Sequence, residues 1–321
     1  MQECRKKSEQ RTANSESMEN PSIIVSDISR SYGSVKALDD VSFEILKGEL
    51  FGFIGPDGAG KTTLFRILAT LLLPDEGTAS VEGLDVVKDF KKIRKILGYM
   101  PGRFSLYMDL SVEENLSFYA TIFGTTIEEN YNLIKDIYRQ IEPFKKRKAG
   151  QLSGGMKQKL ALCCALIHKP AVIFLDEPTT GVDAVSRMEF WEMLRRLKES
   201  NITIMVSTPY MDEASLCDRV ALIQDGKIMK ISKPDEIVAD YRHELWAVRS
   251  GRFFELLSDL RAYPDIHSVH AFGQAAHVAF DKSGMTAEDL RKYLINNRHK
   301  DVVIEEIKPT IEDCFMELMA Q

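Results

Sequence analysis

The sequence predicts an α/β fold built around a parallel sheet, followed by a smaller α+β domain. Two apolar runs, Leu50–Ile54 and residues 171–176, have the length and composition of buried strands, and residues that carry chemistry follow each of them. A helix-like apolar pattern follows the first run, as expected where strands and helices alternate. From residue 236 onward a second, shorter series of strand-like and helix-like segments begins. These three observations predict a large domain and a small one.

A glycine-rich loop follows the first strand-like run. It consists of Gly55, Pro56, Asp57, Gly58, Ala59, Gly60, Lys61, Thr62 and Thr63. This order fits the phosphate-binding P-loop, in which backbone N–H groups and the start of the next helix bind phosphates. The pattern predicts that Lys61 contacts the β- and γ-phosphates and that Thr62 binds Mg²⁺. For an isolated motif, the alternative is a glycine-rich turn that matches by chance.

Two carboxylates follow the second strand-like run. Asp176 ends that run, and Glu177 comes next. In nucleotide hydrolases a carboxylate at this place partners Mg²⁺, and we expect Asp176 to do so. Glu177 then lies where a general base can polarise the attacking water. An Asp-Glu pair after a strand is also typical of a solvated helix start, but together with the P-loop it indicates a nucleotide hydrolase.

A third motif, at residues 152–158, indicates the class of hydrolase. It reads Leu-Ser-Gly-Gly-Met-Lys-Gln, and about twenty residues later the chain reads Asp-Glu-Pro-Thr-Thr-Gly-Val-Asp. With these motifs the chain resembles the ATP-binding cassette (ABC) ATPases over about residues 23–234. In that family the signature motif contacts the γ-phosphate bound by a partner subunit. The resemblance implies this role for Ser153, Gly154, Gly155 and Gln158.

The resemblance also implies a fold and further roles. The fold is a P-loop NTPase cassette at residues 21–235, with a RecA-like core, an antiparallel β subdomain and an α-helical subdomain at about residues 96–158. Tyr32 is implied to stack on adenine, although a surface aromatic in a turn has the same sequence pattern. Asp183 is implied to couple two nucleotide sites across a dimer. ATP and Mg²⁺ are the implied cofactors.

Two positions depart from the family pattern. Gly102 stands where the family has a glutamine that contacts Mg²⁺ and the catalytic water, and Pro209 stands where most members have a histidine that contacts the γ-phosphate. Glycine has no side chain to coordinate an ion, and proline has neither an imidazole nor a backbone N–H. We therefore hypothesise that the chain binds Mg-ATP, hydrolyses it poorly at its own P-loop and pairs with a different, complete cassette. The alternative is an active homodimer in which Glu177 alone orients the water.

Composition limits the kind of partner. The net charge of -6 argues against a nucleic-acid binder that relies on a basic surface. The sequence has no run of 18 apolar residues, so we expect other chains to supply any membrane channel. Five cysteines are typical here of reduced cytosolic thiols. Phe104, Leu106 and Tyr107 are candidates either for the surface that meets a membrane subunit or for packing inside the helical subdomain.

The two ends of the chain differ from the cassette. Residues 1–20 are polar and charged without periodicity, so we expect a disordered extension, with Met18 as a candidate start of translation. Residues 236–321 have the order βαββαβ and a closing helix, which resembles a ferredoxin-like module. We expect an accessory domain for dimer contact or regulation, or a stabilising appendage. We expect all six histidines to be structural or solvent-exposed.

The favoured interpretation is the ATP-binding subunit of an exporter, peripheral on the cytoplasmic face of the inner (plasma) membrane. Its expected partners are ABC-2 type membrane permease subunits, which the segment from Lys308 onward suggests by resemblance, and a second ABC ATPase subunit. Two alternatives belong to other classes: a soluble ABC protein of translation or DNA repair, and a nucleotide-sensing regulatory subunit without turnover.

Overall fold

The computed structural model describes residues 21–280 and 286–319, so the expected N-terminal extension and Met18 lie outside the described residues. The chain divides into two units after Ile231, a few residues before the boundary at 235 expected from the sequence. No helix in the described ranges is both long and apolar enough to cross a bilayer.

The first unit contains ten strands and six α-helices among the described residues. The strands are β1 (Pro21–Tyr32), β2 (Val35–Leu46), β3 (Leu50–Ile54), β4 (Glu76–Val81), β5 (Leu84–Asp85), β6 (Leu97–Met100), β7 (Val172–Asp176), β8 (Thr203–Thr208), β9 (Arg219–Gln224) and β10 (Lys227–Ser232). The helices are α1 (Lys61–Leu68), α2 (Phe90–Ile96), α3 (Val112–Ile122), α4 (Ile127–Ile141), α5 (Gly154–Leu166) and α6 (Ala184–Glu199), with 3₁₀ turns at Glu142–Phe144, Ala149–Gln151 and Met211–Leu216.

A six-stranded sheet with the order β10-β9-β3-β8-β7-β6 forms the centre of this unit. The pairs β3–β9, β3–β8, β8–β7 and β7–β6 are parallel. Every residue of β3 and β7 is buried, because a parallel strand covered on both faces is apolar along its whole length. The strands predicted around residues 50–54 and 171–176 are confirmed.

A cluster of phenylalanines joins this sheet to a second, antiparallel sheet with the order β2-β1-β4-β5. Phe43 of β2 contacts Phe51 and Phe53 of β3; Phe53 contacts Phe65 of α1, which contacts Phe174 of β7. Ring centroids in these contacts are 4.9 to 6.2 Å apart, the range of favourable aromatic pairs. The cluster therefore fixes α1, and with it the glycine-rich loop, against both sheets.

The helical region differs from the prediction at its start. The prediction of helix from about residue 96 is wrong for Leu97–Met100, which form β6 at the edge of the large sheet, parallel to β7. A four-residue strand has too few residues to show a period, and its pairing partner lies far away in the sequence. Helix α3 begins with a capping box, in which Ser111 Oγ accepts from the Glu114 N–H and the Glu114 carboxylate accepts from the Ser111 N–H.

The second unit has an antiparallel sheet with helices on it. Its elements are α7 (Pro234–Ala239), β11 (Glu244–Arg249), α8 (Phe253–Ala262), β12 (Ile266–Phe272), β13 (Ala275–Phe280), α9 (Ala287–Asn296), β14 (Val303–Glu306) and α10 (Ile311–Met319). The sheet order is β12-β13-β11-β14, the split arrangement of a βαββαβ unit. Trp246, Val278, Leu256 and Leu290 are among the residues of its core, between the sheet and the helices α8 and α9.

We expect Phe53→Ala to lower the free energy of unfolding of the first unit by about 3 to 5 kcal/mol, because this ring is fully buried and contacts three others. The measurement is urea unfolding followed by the fluorescence of Trp191, in a Trp246→Phe background. Met188→Ala removes a side chain that is 75% exposed and is the matched control, expected to change the free energy by less than about 0.5 kcal/mol. Equal effects of the two variants would contradict the role given to the cluster.

Candidate functional site

The candidate site lies where three parallel strands end together. Ile54 of β3 is opposite Thr208 of β8, and Asp176 of β7 is opposite Ser207. The loops that follow β3, β7 and β8 therefore begin side by side at one edge of the sheet. In open α/β sheets, ligands bind at this edge.

The glycine-rich loop can adopt its path only because of its glycines. Gly60 has φ of 101°, and a Cβ added there would lie 2.3 Å from the Ala37 carbonyl oxygen. A Cβ at Gly55 would lie 2.1 Å from the carbonyl oxygen of Ile223. Gly60 also precedes the first turn of α1, whose N–H groups then face the loop.

Lys61 is the charge around which this loop closes. Its side chain is only 2% exposed, and its Nζ donates to the carbonyl oxygens of Gly55 at 2.8 Å and Pro56 at 2.9 Å. The Nζ is also 3.4 Å from Glu177 Oε1. A buried ammonium needs such acceptors, because removal from water is costly without them. The loop thus holds a positive charge at its centre with one carboxylate beside it.

A cavity of about 210 Å³ opens above Lys61. Its lining comprises Tyr32, Ala37, Gly58, Gly60, Lys61, Thr62, Thr63 and Glu177. Tyr32 is the last residue of β1 and is 46% exposed, with the Arg30 guanidinium 5.4 Å from its ring centre. Asp57 is exposed, whereas Ala59 is buried. The structure therefore brings the aromatic candidate, the P-loop and Glu177 around one space.

Asp176 accepts hydrogen bonds from two hydroxyl groups. Asp176 Oδ1 accepts from Thr62 Oγ1 at 3.1 Å and from Ser207 Oγ at 2.8 Å. The two predicted metal ligands, Thr62 in the first turn of α1 and Asp176 at the end of β7, are therefore neighbours in space. Hydroxyl and carboxylate oxygens are the ligands that Mg²⁺ prefers.

Ser207 is a site residue that sequence reasoning missed. Its Oγ also accepts from the Glu177 N–H at 3.0 Å, and its carbonyl oxygen accepts from the same N–H at 3.1 Å. Glu177 has φ of 49°, a left-handed backbone that costs about 1 to 3 kcal/mol for a residue other than glycine. Ser207 therefore fixes both carboxylate residues of the site. The available signal was a serine at the end of an otherwise apolar strand.

Of the two departures from the family pattern, Gly102 lies beside Asp176. A Cβ at Gly102 would lie 3.1 Å from the main-chain oxygen of Asp176 and 3.9 Å from its carboxylate. Pro209 directly follows β8. The loop after it is held by Arg187, whose guanidinium is 4.4 Å from the Tyr210 ring centre and donates to Asp212 at 2.8 Å. Sequence reasoning also missed Arg187, which lies in the first turn of α6.

The signature residues do not line the P-loop cavity. Ser153 caps α5 by accepting from the Met156 N–H, and Ser153 and Gly154 are exposed. A Cβ at Gly155 would lie 2.6 Å from Ser186 Oγ, so this glycine allows close packing against α6. Among the described residues that line the P-loop cavity, none belongs to this motif.

Asp183 caps the N-terminus of α6, the helix against which Gly155 of this motif packs. Its side chain accepts from the Ser186 N–H at 3.0 Å, and this hydrogen bond lowers the pKa of the Asp183 carboxyl. The carboxylate is exposed and ionised at neutral pH, and it sits at the positive end of the helix dipole.

A second, larger cavity of about 310 Å³ lies between β6, α5 and the segment after Gly102. Gln158 of the signature motif lines this cavity, together with Tyr99, Phe104 and Leu106. Burial raises the pKa of Tyr99 to about 12, and the charge of Asp176 contributes. Leu106 is buried, whereas Tyr107 is half exposed and packs edge-on against Phe118. Within this segment, Leu106 therefore fits packing inside the helical subdomain, whereas Tyr107 remains a candidate for a surface that meets a membrane subunit.

Comparison with known proteins identifies the family. A family model described as "ABC transporter" matches residues 38–180. The "Nod factor export ATP-binding protein I" of Sinorhizobium fredii is 36% identical over 74% of this chain and 70% of its own length. The "Probable multidrug ABC transporter ATP-binding protein YbhF" of Escherichia coli is 39% identical over 66% of this chain. The match spans only 37% of the length of YbhF, so the chain covers about a third of that relative.

Solved structures have the same fold as the first unit. CbiO1 of Clostridium perfringens, described as part of the ABC transporter complex cbiONQ, has a TM-score of 0.62 at 26% identity, over 69% of this chain and 92% of its own. A dimeric ATP-binding cassette in a post-hydrolysis state, bound to ADP and Pi, has a TM-score of 0.59 at 26% identity, over 66% of this chain and 98% of its own. The fold is therefore that of an ABC cassette, and the chain belongs to the ATP-binding proteins of the ABC transporter family.

Proposed function

We propose that this chain is the ATP-binding subunit of an ABC exporter and that it binds Mg-ATP at an interface with a second cassette. The observation that carries the proposal is the separation of the two halves of the site. Lys61 and Glu177 line one cavity, while Ser153 and Gly154 are exposed elsewhere. A nucleotide in the cavity would leave its γ-phosphate side open to solvent, and the signature motif of a second cassette fits that side.

The groups for binding Mg-ATP are complete on the P-loop side. The loop N–H groups and Lys61 would hold the phosphates, Tyr32 would stack on adenine, and Thr62 and Asp176 would hold Mg²⁺. The bound ion would neutralise charge on the phosphate oxygens. Lys61 must exchange its contact with Glu177 for the phosphates, which leaves that carboxylate to accept a proton from water.

The groups for hydrolysis are incomplete in the same half-site. Gly102 lies against Asp176 without a side chain, and Pro209 follows Thr208 without an imidazole. Loss of one positioned group that stabilises developing charge typically costs about 10² to 10³ in rate. We therefore propose weak turnover at this P-loop and pairing with a different, complete cassette. An active homodimer is the alternative within the family.

The second cavity suits a membrane partner. It is lined by apolar and aromatic side chains, and the exposed residues Leu71 and Tyr107 lie at or next to it. Pro101 and Phe104, which lie on either side of Gly102 in the sequence, both line this cavity, so a partner bound there would contact the loop beside Asp176. The exporter names of the relatives support a membrane permease as this partner. We propose that it consists of ABC-2 type subunits, which the segment from Lys308 onward suggests by resemblance, and that the chain lies at the cytoplasmic face of the inner membrane. The surface would couple closure of the cassettes to the membrane chains.

A nucleotide-sensing regulatory subunit is the second candidate function. It is favoured by the joint occurrence of Gly102 and Pro209 beside intact binding groups. In this second function, no ATP hydrolysis would depend on this chain, and this is its only difference from the first proposal.

Lys61→Ala is expected to weaken ATP binding by about 100-fold or more, because it removes charge-assisted hydrogen bonds to the phosphates. Binding of a fluorescent ATP analogue to the purified chain measures the effect. The control is Lys91→Ala, which removes an exposed lysine on α2. Undiminished binding by the Lys61 variant would remove the P-loop assignment.

The ATPase activity of the purified chain is expected to be close to that of its Glu177→Gln variant. Gly102→Gln combined with Pro209→His should raise it by about tenfold or more, because both replacements supply groups that position water and phosphate. Pro209→His alone is measured as a second variant. It avoids the change at Gly102, where an added Cβ would lie 3.1 Å from the Asp176 carbonyl oxygen and would require a small shift. Strong turnover of the unmodified chain, lost in Glu177→Gln, would instead establish an active homodimer.

Ser153→Arg is expected to lower ATP hydrolysis at the partner's P-loop by about 100-fold, because the long cation displaces the motif that faces the γ-phosphate. The measurement is ATPase activity of the complex with the partner cassette and the membrane subunits. Ser200→Arg places the same side chain at an exposed position just after the C-terminal end of α6 and should leave activity unchanged. Normal turnover with Ser153→Arg would reject the asymmetric pair.

A further inference from the structure

The C-terminal helix α10 contacts the second unit's strands through two carboxylates. Asp313 and Glu317 are four residues apart and therefore lie on one face of the helix. Asp313 Oδ1 is 2.7 Å from His277 Nδ1, and Glu317 Oε1 is 3.2 Å from His243 Nε2. The helix is thus held by two histidine–carboxylate pairs, one turn apart.

The first pair is closed. Asp313 is 4% exposed, and its second oxygen accepts from the N–H of Thr310 at 2.8 Å and from its hydroxyl at 2.6 Å. The His277 ring stacks on Phe272 with centroids 3.9 Å apart, so a hydrocarbon ring and not a ligand atom covers it. This pair caps the helix and has no capacity for an ion.

The second pair has a third ligand beside it. The ring of His267, on β12, stacks on that of His243 with centroids 4.0 Å apart. One ligand atom from each of His243, His267 and Glu317 lies within 4.8 Å of the other two. His267 is exposed and the other two side chains are partly exposed, so an ion can enter from solvent.

We propose that His243, His267 and Glu317 form a site for a divalent transition metal ion, best suited to Zn²⁺. Two imidazoles and one carboxylate are a ligand set that Zn²⁺ accepts, with the remaining position left to water. Ligands at the 2.0–2.1 Å typical of Zn–N and Zn–O bonds are about 3.3 Å apart in tetrahedral geometry, and the observed 3.2 Å between His243 and Glu317 agrees with this.

The ion would take the place of the direct contact between His243 Nε2 and Glu317 Oε1, and both ligands must be deprotonated to bind it. The nitrogen lone pairs of stacked rings point side by side, so the His267 ring turns about its side-chain bonds to reach the ion. The His267 ring can make this rotation because its side chain is exposed. The bound ion would then tie the last turn of α10 to β12 and to the residue before β11. The site is independent of the proposed nucleotide chemistry.

The test is Co²⁺ binding to the full chain after treatment with a chelator, followed by displacement with Zn²⁺. We expect visible ligand-field absorption that saturates at one Co²⁺ per chain and disappears on addition of Zn²⁺. His267→Ala and Glu317→Gln should each weaken binding by about 10- to 100-fold or more, at least the loss seen when a group supporting a metal ligand is removed. His277→Ala is the matched control: it loosens the same helix but leaves all three ligands, and should bind Co²⁺ like the unmodified chain.

Circular dichroism of each variant confirms that it is folded, and Glu317→Gln keeps the shape of the side chain if His267→Ala does not fold. Absence of Co²⁺ absorption in the unmodified chain would overturn the proposal. Unchanged affinity in both ligand variants would also overturn it. An equal loss in His277→Ala would overturn it too, because the effect would then come from helix attachment and not from ligation.

Discussion

The position of β8 between β3 and β7 is the constraint on which the nucleotide site depends. Parallel pairing sets Ile54 opposite Thr208 and Asp176 opposite Ser207, so three chain segments leave the sheet at the same level. A shift of one residue in either pairing would turn the side chains of β8 to the opposite faces. Ser207 would then no longer reach Asp176 and the Glu177 N–H. The phenylalanine cluster and the strand register together position α1 and the carboxylates relative to each other.

The site also shows how a buried charge shapes its surroundings. Lys61 is held by the carbonyl groups of Gly55 and Pro56, so the loop is closed around a cation. Glu177 adds a partial ion pair and takes a left-handed backbone that the Ser207 hydrogen bonds stabilise. Replacement of a carboxylate by phosphate at Lys61 retains the charge compensation, so ligand exchange does not require the lysine to become unpaired.

The sequence was sufficient where function requires a local pattern. The P-loop, the two carboxylates after β7 and the serine that caps α5 each lie within a few consecutive residues, and their positions follow from that order. The strand β6, Ser207 and Arg187 depend on partners far away in the sequence: β6 on β7, Ser207 on Asp176, and Arg187 on Tyr210. No local period marks such residues. The same holds for His243 and His267, which were expected to be structural or solvent-exposed and which acquire a shared neighbour, Glu317, only through the fold.

The two altered positions are also neighbours because of the sheet order. Gly102 follows β6 and Pro209 follows β8, and these strands flank β7, whose last residue is Asp176. Side chains at positions 102 and 209, on the loops after β6 and β8, would approach the same γ-phosphate and water from opposite sides. The two side chains would therefore have to act together to position the water and the phosphate. Once one is lost, the other contributes less, because groups that act as a unit are not additive. Under the proposed function, Lys61 and Thr62 of the P-loop would contact the ground-state nucleotide directly, so nucleotide binding would not depend on the two flanking loops.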